Sequence, residues 1–276
     1  MYNDRLTPSE FSSISGLSKQ TLLFYEKKGI FFPAYKDEKG YRFYSLDQID
    51  VIVTIQALQA IGLSLNEIQS YIGKRNSDLI YKLYSSKINP LKNTVAKYIK
   101  MLNMLKTKLQ LIEKATSVLL NTVYLEYRPS IQIIKSADIP QNASDTEQYK
   151  ILCEHIKYRK EKDYNLGHAI AGIVDWKNKS IYTDSKTHYI NYYTILPLEH
   201  DEYKYDIIRN GTYIVVYYKG PYHQTFKTYP IIFDYAKKHN YELDSVIYEE
   251  SLIDETVESN PNNYITQIAV QILGMK

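Results

Sequence analysis

A long apolar stripe with helical spacing constrains the fold of this 276-residue chain more than any other sequence feature. The spacing alternates between four and three residues, and eight of the nine positions are apolar: Leu91, Val95, Tyr98, Leu102, Leu105, Leu109, Ile112, Thr116 and Leu119. Such a repeat is typical of a coiled-coil seam. Asn89 and Pro90 indicate an N-cap and a first helical residue, so the helix is predicted to begin there. A helix roughly 45 Å long with this stripe needs a partner. We therefore predict a homodimer, and packing within one chain is the alternative.

The first 75 residues predict a compact helical module. Capping signals open helices at Thr7, Ser18, Ser45 and Ser64. Aromatic residues on both sides of a turn at 37–40 predict a hairpin between the second and third helices. The order of helix, turn, helix, hairpin, helix and helix is suited to docking on duplex DNA.

The module resembles the MerR family of transcription regulators over residues 5–73. The resemblance rests on three segments in order, Phe24–Glu26, Gly40–Tyr44 and Gly62–Ile68. It implies that double-stranded promoter DNA is contacted from the recognition helix and the wing by Ser18, Lys19, Gln20, Tyr25, Tyr41 and Arg42. The family usually has Arg where this chain has Leu23, which removes one expected contact with DNA.

The charge of the chain is unevenly distributed. Residues 1–120 carry 17 Lys and Arg against 10 Asp and Glu, whereas residues 121–276 carry 17 against 21. A basic first part favours a polyanionic partner. The alternative is a solvated surface with a random imbalance of charge.

After Tyr124, β-rich runs alternate with two helical patterns, which predicts an α+β domain. We predict strands within 130–136, 169–174, 188–196, 211–218, 245–250 and 264–273, and helices near 145–160 and 225–238. Residues 211–273 are similar to the gyrase-inhibitor-like effector-binding domain of the multidrug-sensing, BmrR-like branch of the MerR family. The expected fold is multidomain: an all-α winged helix-turn-helix (1–75), a linker with a long coiled-coil dimerisation helix (76–121), and an α+β gyrase-inhibitor-like C-terminal domain (122–276).

This second resemblance implies a ligand pocket with a buried glutamate. Glu249 matches the position of the glutamate, with the neighbouring Glu250 as the alternative, and Tyr264 matches an aromatic position on the last strand. Further aromatic candidates are Tyr149, Tyr189 and Tyr193. Aromatic faces attract a cation and a carboxylate balances its charge, so we expect a small lipophilic, cationic effector.

Other classes of function find little support in the sequence. Cys153 is the single cysteine, so we expect no metal site and no other cofactor. There is no apolar run of about 18 residues and no apolar signal region near the N-terminus, and we expect a cytoplasmic protein without a membrane partner. The sequence contains neither a nucleophile elbow nor a Gly-rich phosphate loop, which disfavours an enzyme.

The hypothesis is therefore a ligand-responsive transcription regulator, by family resemblance an activator. It is expected to remodel promoter DNA and to affect RNA polymerase indirectly, through the promoter. Two alternatives stay open: a gyrase-inhibitor-like small-molecule hydrolase fused to a DNA-binding domain, and a constitutive DNA-binding protein. Turnover abolished by Glu249→Gln favours the first, and an interior without a cavity near Glu249 favours the second.

Overall fold

A computed structural model describes residues 5–177, 187–197 and 204–275. The chain divides into two compact units, Met1–Lys97 and Tyr98–Lys276. The first unit contains the helices α1 (Pro8–Ser15), α2 (Lys19–Lys27), α3 (Ile49–Ala60) and α4 (Leu65–Ile72), and the antiparallel strands β1 (Tyr35–Lys36) and β2 (Arg42–Phe43). Helix α5 (Ser77–Ser117) starts in the first unit and ends in the second.

The capping signals produce the helix starts of the first unit. Thr7 and Glu10 form a reciprocal capping box at α1, and Ser64 and Glu67 form another at α4. The aromatic residues around these helices form a buried core in which the rings of Phe11 and Tyr44 stack with centroids 4.7 Å apart. The predicted order of helices and hairpin is therefore present in the structure.

Helix α5 begins earlier than predicted. Asn76 caps it by accepting a 2.7 Å hydrogen bond from the Leu79 amide, and Pro90 lies inside the helix rather than at its start. A proline removes one backbone hydrogen bond, a local loss that the long helix tolerates. The stripe positions Leu91, Val95, Leu102, Leu105 and Leu109 are 48–63% exposed. At the end of the stripe, Ile112 packs against the core of the second unit and Leu119 lies beyond the helix.

The second unit is built on one antiparallel sheet. Its strands are β3 (Tyr124–Arg128), β4 (Ile131–Lys135), β5 (Ala171–Asp175), β6 (Asn191–Ile195), β7 (Asp206–Ile208), β8 (Gly211–Lys219), β9 (Tyr241–Leu243), β10 (Val246–Ile253) and β11 (Ile265–Met275). Their order is β3-β8-β11-β10-β5-β6-β4-β7, with β9 also paired to β11. The unit also contains α6 (Asp145–Glu161) and α7 (Tyr229–Lys238), which follows a 3₁₀ helix at Tyr222–Thr228.

All six predicted strands and both predicted helices of this unit are found. The prediction missed β3, β7 and β9; β7 and β9 are three residues long and carry little periodic signal. None of the helices in the described ranges combines the length and the apolar composition that a membrane crossing needs.

The two faces of the sheet have separate cores. On one face, Leu111 and Ala115 of α5 are buried against the sheet. Two polar contacts join the same helix to the sheet region: Lys108 Nζ lies 2.7 Å from Asp254 Oδ2, and Lys114 Nζ lies 2.7 Å from Gln267 Oε1. On the other face, the core residues include those of α7. Because neighbouring residues of a strand point to opposite faces, the strands β5, β8, β10 and β11 supply residues to both cores.

Candidate functional site

The start of α2 is exposed, as a DNA-reading helix requires. Ser18 caps the helix by accepting a 3.0 Å hydrogen bond from the Thr21 amide. Lys19 and Gln20 follow on the surface. The positive end of the helix dipole and a lysine therefore coincide, which suits contact with a phosphate.

Tyr25 does not lie on this surface, which corrects the expectation that it reaches a base or sugar. It is only 3% exposed, and its hydroxyl donates a 2.9 Å hydrogen bond to Gln59 Oε1. The residue follows the buried Leu22 by three positions, so it shares the inward face of α2. Phe24 and Leu23 are the exposed apolar residues of this helix.

The hairpin is tied to α2 through Glu26. Its carboxylate lies 2.6 Å from Arg42 Nε and 2.6 Å from Lys36 Nζ. Burial alone raises the pKa of Glu26, but the hydrogen bonds from Lys36 and Arg42 hold it below the ordinary value. Arg42 thus has a structural partner within the unit, and its remaining N–H groups are the ones available to a phosphate. Tyr41 beside it is exposed.

In the second unit, Glu249 is a buried carboxylate held by two tyrosines. It is 2% exposed on β10. The Tyr189 hydroxyl donates to Oε2 over 2.8 Å, and the Tyr229 hydroxyl donates to Oε1 over 2.7 Å. Burial raises the pKa of Glu249 to about 7, although hydrogen bonds from its neighbours oppose this rise. The site therefore holds a carboxyl group that changes charge near neutral pH.

Gly172 makes room for one of these tyrosines. It pairs with Glu249 across β5 and β10, and a Cβ built on Gly172 would lie 2.2 Å from the Tyr189 ring. The ring of Tyr189 therefore passes directly over the backbone of β5 to reach the carboxylate. Only glycine permits this approach.

Replacing Gly172 by alanine is expected to displace Tyr189 and to lower the free energy of unfolding by about 1–3 kcal/mol, because the new methyl group overlaps the ring. Denaturant unfolding measures the change. Gly274→Ala in β11 is the matched control, since a Cβ there meets no atom within 4 Å. Equal effects of the two substitutions would argue against close packing at Gly172.

Further aromatic residues continue the Glu249 face of β10. Ser251 lies two residues along the strand, and its hydroxyl lies 3.4 Å from the Tyr222 hydroxyl. The Tyr222 ring has its centroid 5.1 Å from that of the buried Tyr264. The hydroxyl of Tyr222 also donates a 2.8 Å hydrogen bond to Glu255. Tyr264, the residue before β11, therefore lies beside a tyrosine that the sequence did not single out.

Three other candidates lie away from the Glu249 carboxylate. Glu250 points to the opposite face, where its Oε1 lies 2.5 Å from His168 Nδ1. Tyr193 is on that face too, in an edge contact with Tyr248, so its expected place beside Glu249 is corrected. Tyr149 is 68% exposed on α6.

The sequence prediction missed Tyr229 and Tyr192. Tyr229 shares the buried face of α7 with Ile232 and Ala236, a spacing of three and four that the sequence does display. Tyr192 precedes Tyr193 on β6 and has its ring centroid 5.7 Å from that of Tyr189. The choice between Tyr192 and Tyr193 depends on strand register, which sequence alone does not fix.

Comparison with known proteins agrees with both units. Residues 6–74 match the family described as MerR HTH family regulatory protein, and residues 135–273 match the GyrI-like small molecule binding domain. The chain is 24% identical over 269 residues, 96% of each chain, to the multidrug-efflux transporter 2 regulator of Bacillus subtilis (strain 168). It is 35% identical over 69 residues to the mercuric resistance operon regulatory protein of Bacillus cereus, covering 25% of this chain and 52% of that protein.

A solved structure, the cryo-EM structure of the EcmrR–DNA complex in EcmrR-RPo, is similar at 20% identity with a TM-score of 0.43. The matched region covers 97% of this chain and 100% of the EcmrR chain. The two family matches define a ligand-responsive, DNA-binding transcription regulator. The chain belongs to the MerR family of regulators and carries a GyrI-like small-molecule-binding domain. The alternative of a hydrolase is not favoured, since the matched families are those of a regulator and a binding domain.

Proposed function

We propose that the protein is a homodimeric transcription activator that binds a lipophilic cation at Glu249 and remodels promoter DNA. RNA polymerase is affected indirectly, through the shape of the promoter, and the expected location remains the cytoplasm. Binding of the effector changes the DNA geometry that the dimer prefers, which requires different affinities for the two states.

The burial of Glu249 between Tyr189 and Tyr229 is the observation that carries this proposal. A buried carboxylate with a pKa near 7 is poorly solvated in its charged form. A cation offsets that loss of solvation, whereas a neutral ligand does not and an anion adds repulsion. Neighbouring tyrosine rings attract a cation with their faces and remove its apolar surface from water.

Two further observations support the dimer and the type of effector. The exposed stripe of α5 is long and apolar, and pairing with a second copy removes it from water. The relative from Bacillus subtilis is named a multidrug-efflux transporter regulator, and such a role fits a site that takes lipophilic cations of varied shape.

The proposal is tested on DNA that the protein itself selects from a random duplex library. Transcription from promoters that contain the selected sequence is measured with tetraphenylphosphonium and with neutral triphenylphosphine oxide. We expect the cation to raise transcription and the neutral compound to leave it unchanged. If the cation binds and transcription does not change, the alternative of a constitutive DNA-binding protein would be favoured instead.

Lys19→Gln is expected to weaken DNA binding severalfold and to make it less dependent on salt. Each phosphate contact contributes roughly one counterion to the slope of log affinity against log salt, so a dimer loses about two. A salt series on duplex DNA measures the slope. Lys150→Gln, on the exposed surface of α6, is the control. A similar loss of slope in both variants would indicate a general effect of charge rather than a contact at Lys19.

A further inference from the structure

We propose that Thr266 is a second recognition group of the effector site and selects aromatic cations that carry an N–H or O–H group. This inference rests on the proposed function of Glu249 as the cation site. It adds a residue that decides which cations bind well, and it assigns that role to a hydroxyl group rather than to a charge.

The hydroxyl of Thr266 is buried without a hydrogen-bond partner. The residue is 2% exposed, and its Oγ1 forms no hydrogen bond with any group in the described ranges. Buried polar side chains in folded proteins are nearly always hydrogen-bonded, and a specific exception calls for an explanation. Valine has the same shape and favours strands equally well. The hydroxyl therefore gives the ligand-free fold nothing that valine would lack.

The register of the sheet brings Thr266 close to Glu249. On β11, Thr266 pairs with Ser251 of β10, and Ile268 pairs with Glu249. Thr266 and Glu249 are thus diagonal neighbours on one face of the sheet, and such neighbours lie roughly 7–8 Å apart. Tyr218 of β8 pairs with Thr266 from the other side. An aromatic ligand of ordinary size spans this separation.

Ser251, the nearest hydroxyl across the strands, has other partners. Its Oγ lies 3.0 Å from the Ile253 carbonyl oxygen and 3.4 Å from the Tyr222 hydroxyl. The hydroxyl hydrogen of Ser251 is therefore donated to an acceptor other than Thr266. The same contacts connect this end of the strand pair to the rings of Tyr222 and Tyr264. Thr266 consequently lies between a buried carboxylate and an aromatic wall.

This arrangement recognises two features of one molecule. The carboxylate of Glu249 balances the positive charge, and the hydroxyl of Thr266 accepts a hydrogen bond from an amino, amidine or hydroxyl substituent. A fully alkylated cation satisfies only the first group and leaves Thr266 unpaired. Sites with a buried polar group discriminate strongly against analogues that fail to pair with it. Because both groups are buried, entry of the ligand requires changes of side-chain rotamer, which are common at binding surfaces.

The test compares two dyes with the same acridinium ring. Proflavine has two primary amino groups, and acridine orange has dimethylamino groups in their place. We expect Thr266→Val to weaken the binding of proflavine about tenfold, the effect of one lost hydrogen bond. Binding of acridine orange should change less than about threefold, because it lacks the amino N–H groups and its one remaining donor, the ring N–H that both dyes share, is expected to pair with Glu249. Thr266→Ser keeps the hydroxyl and should keep the preference for proflavine.

A second readout is the stability of the ligand-free protein. Thr266→Val should raise its thermal midpoint, because the substitution removes an unpaired buried hydroxyl. Thr266→Ala repeats the dye comparison if valine disturbs the packing. Unchanged proflavine affinity in both variants, with acridine orange still bound through Glu249, overturns the role of Thr266 alone. Failure of both dyes to bind, or binding that Glu249→Gln leaves intact, overturns the proposed cation site and this inference together.

Discussion

Replacing Glu249 by glutamine is expected to weaken the binding of tetraphenylphosphonium at pH 8 by about a hundredfold. The substitution keeps the shape of the side chain and can still bond to Tyr189 and Tyr229, but it removes the negative charge. Removing one partner of a buried charge pair costs about 2–5 kcal/mol, and 1.4 kcal/mol corresponds to a factor of about ten. Isothermal titration calorimetry on the full-length protein measures the affinity.

Glu250→Gln is the matched control for this experiment. The residue is the next one along β10, and its carboxylate points to the opposite face, toward His168. This substitution removes the same charge from the same strand and should leave the affinity for the cation nearly unchanged. An equal loss in both variants would mean that the overall charge of the domain, rather than the site at Glu249, attracts the cation.

The affinity should also depend on pH with a defined sign. Burial raises the pKa of Glu249 to about 7, so the carboxyl group is largely protonated at pH 6. A bound cation favours the ionised form, and the apparent affinity should rise about tenfold per pH unit up to about pH 7 before it levels off. The hydroxyls of Tyr189 and Tyr229 have pKa values well above 10 because they are buried, so they do not titrate in this range. Glu249→Gln should remove the dependence.

The same carboxyl group makes the ligand-free fold less stable at high pH. Its pKa is raised in the folded state, so the folded protein holds this proton more tightly than the unfolded chain does. The resulting stabilisation is complete below about pH 4.5 and is lost as the pH rises through 7. A rise from 4.5 to about 7 corresponds to about 3 kcal/mol. Burial of this carboxyl group therefore lowers the stability of the ligand-free protein at high pH, and the same burial gives the site a strong preference for a positively charged ligand.

The sequence predicted six of the nine described strands and both described helices of the second unit. Alternation along β10 requires Glu249 and Glu250 to point to opposite faces whatever the fold. Alternation does not say which face carries the aromatic rings, because that depends on the strands paired on either side. The pairing of Gly172 with Glu249, and the tyrosine that crosses over it, are products of register between distant segments.

In the first unit and in α5, short sequence motifs and the periodicity of the surrounding residues indicated different structures. Tyr25 was assigned to DNA by family resemblance, although its spacing from Leu22 already indicated the core. Asn89 and Pro90 have the composition of a helix start, but the earlier cap at Asn76 began the helix first. Both errors arose where a short motif was preferred over the periodicity of the surrounding residues. Periodicity reports packing against the rest of the unit, which is the larger contribution to stability.

Lys108→Met is expected to lower the free energy of unfolding by about 2–4 kcal/mol, the second large effect that the structure predicts. Asp254 is buried at the end of β10, and the ammonium group of Lys108 lies 2.7 Å from its Oδ2. Methionine keeps most of the volume of lysine but removes the ammonium group, so that Asp254 retains the two hydrogen bonds from Thr256 and the electrostatic interaction with Arg159. Denaturant unfolding of the second unit measures the loss.

Lys106→Met, on the exposed surface of α5, controls for removing a lysine from the same helix. Adding Asp254→Asn to Lys108→Met should recover part of the stability, because the uncompensated buried charge is removed. Burial raises the pKa of Asp254, but the hydrogen bonds that its carboxylate accepts from Lys108 and Thr256 outweigh this rise and bring the pKa below the ordinary value. The stabilisation is therefore present above about pH 4 and is lost as the pH falls through the lowered pKa. A gap between wild type and Lys108→Met that stays constant from pH 7 to pH 3 would show that lysine acts there through packing rather than through its charge.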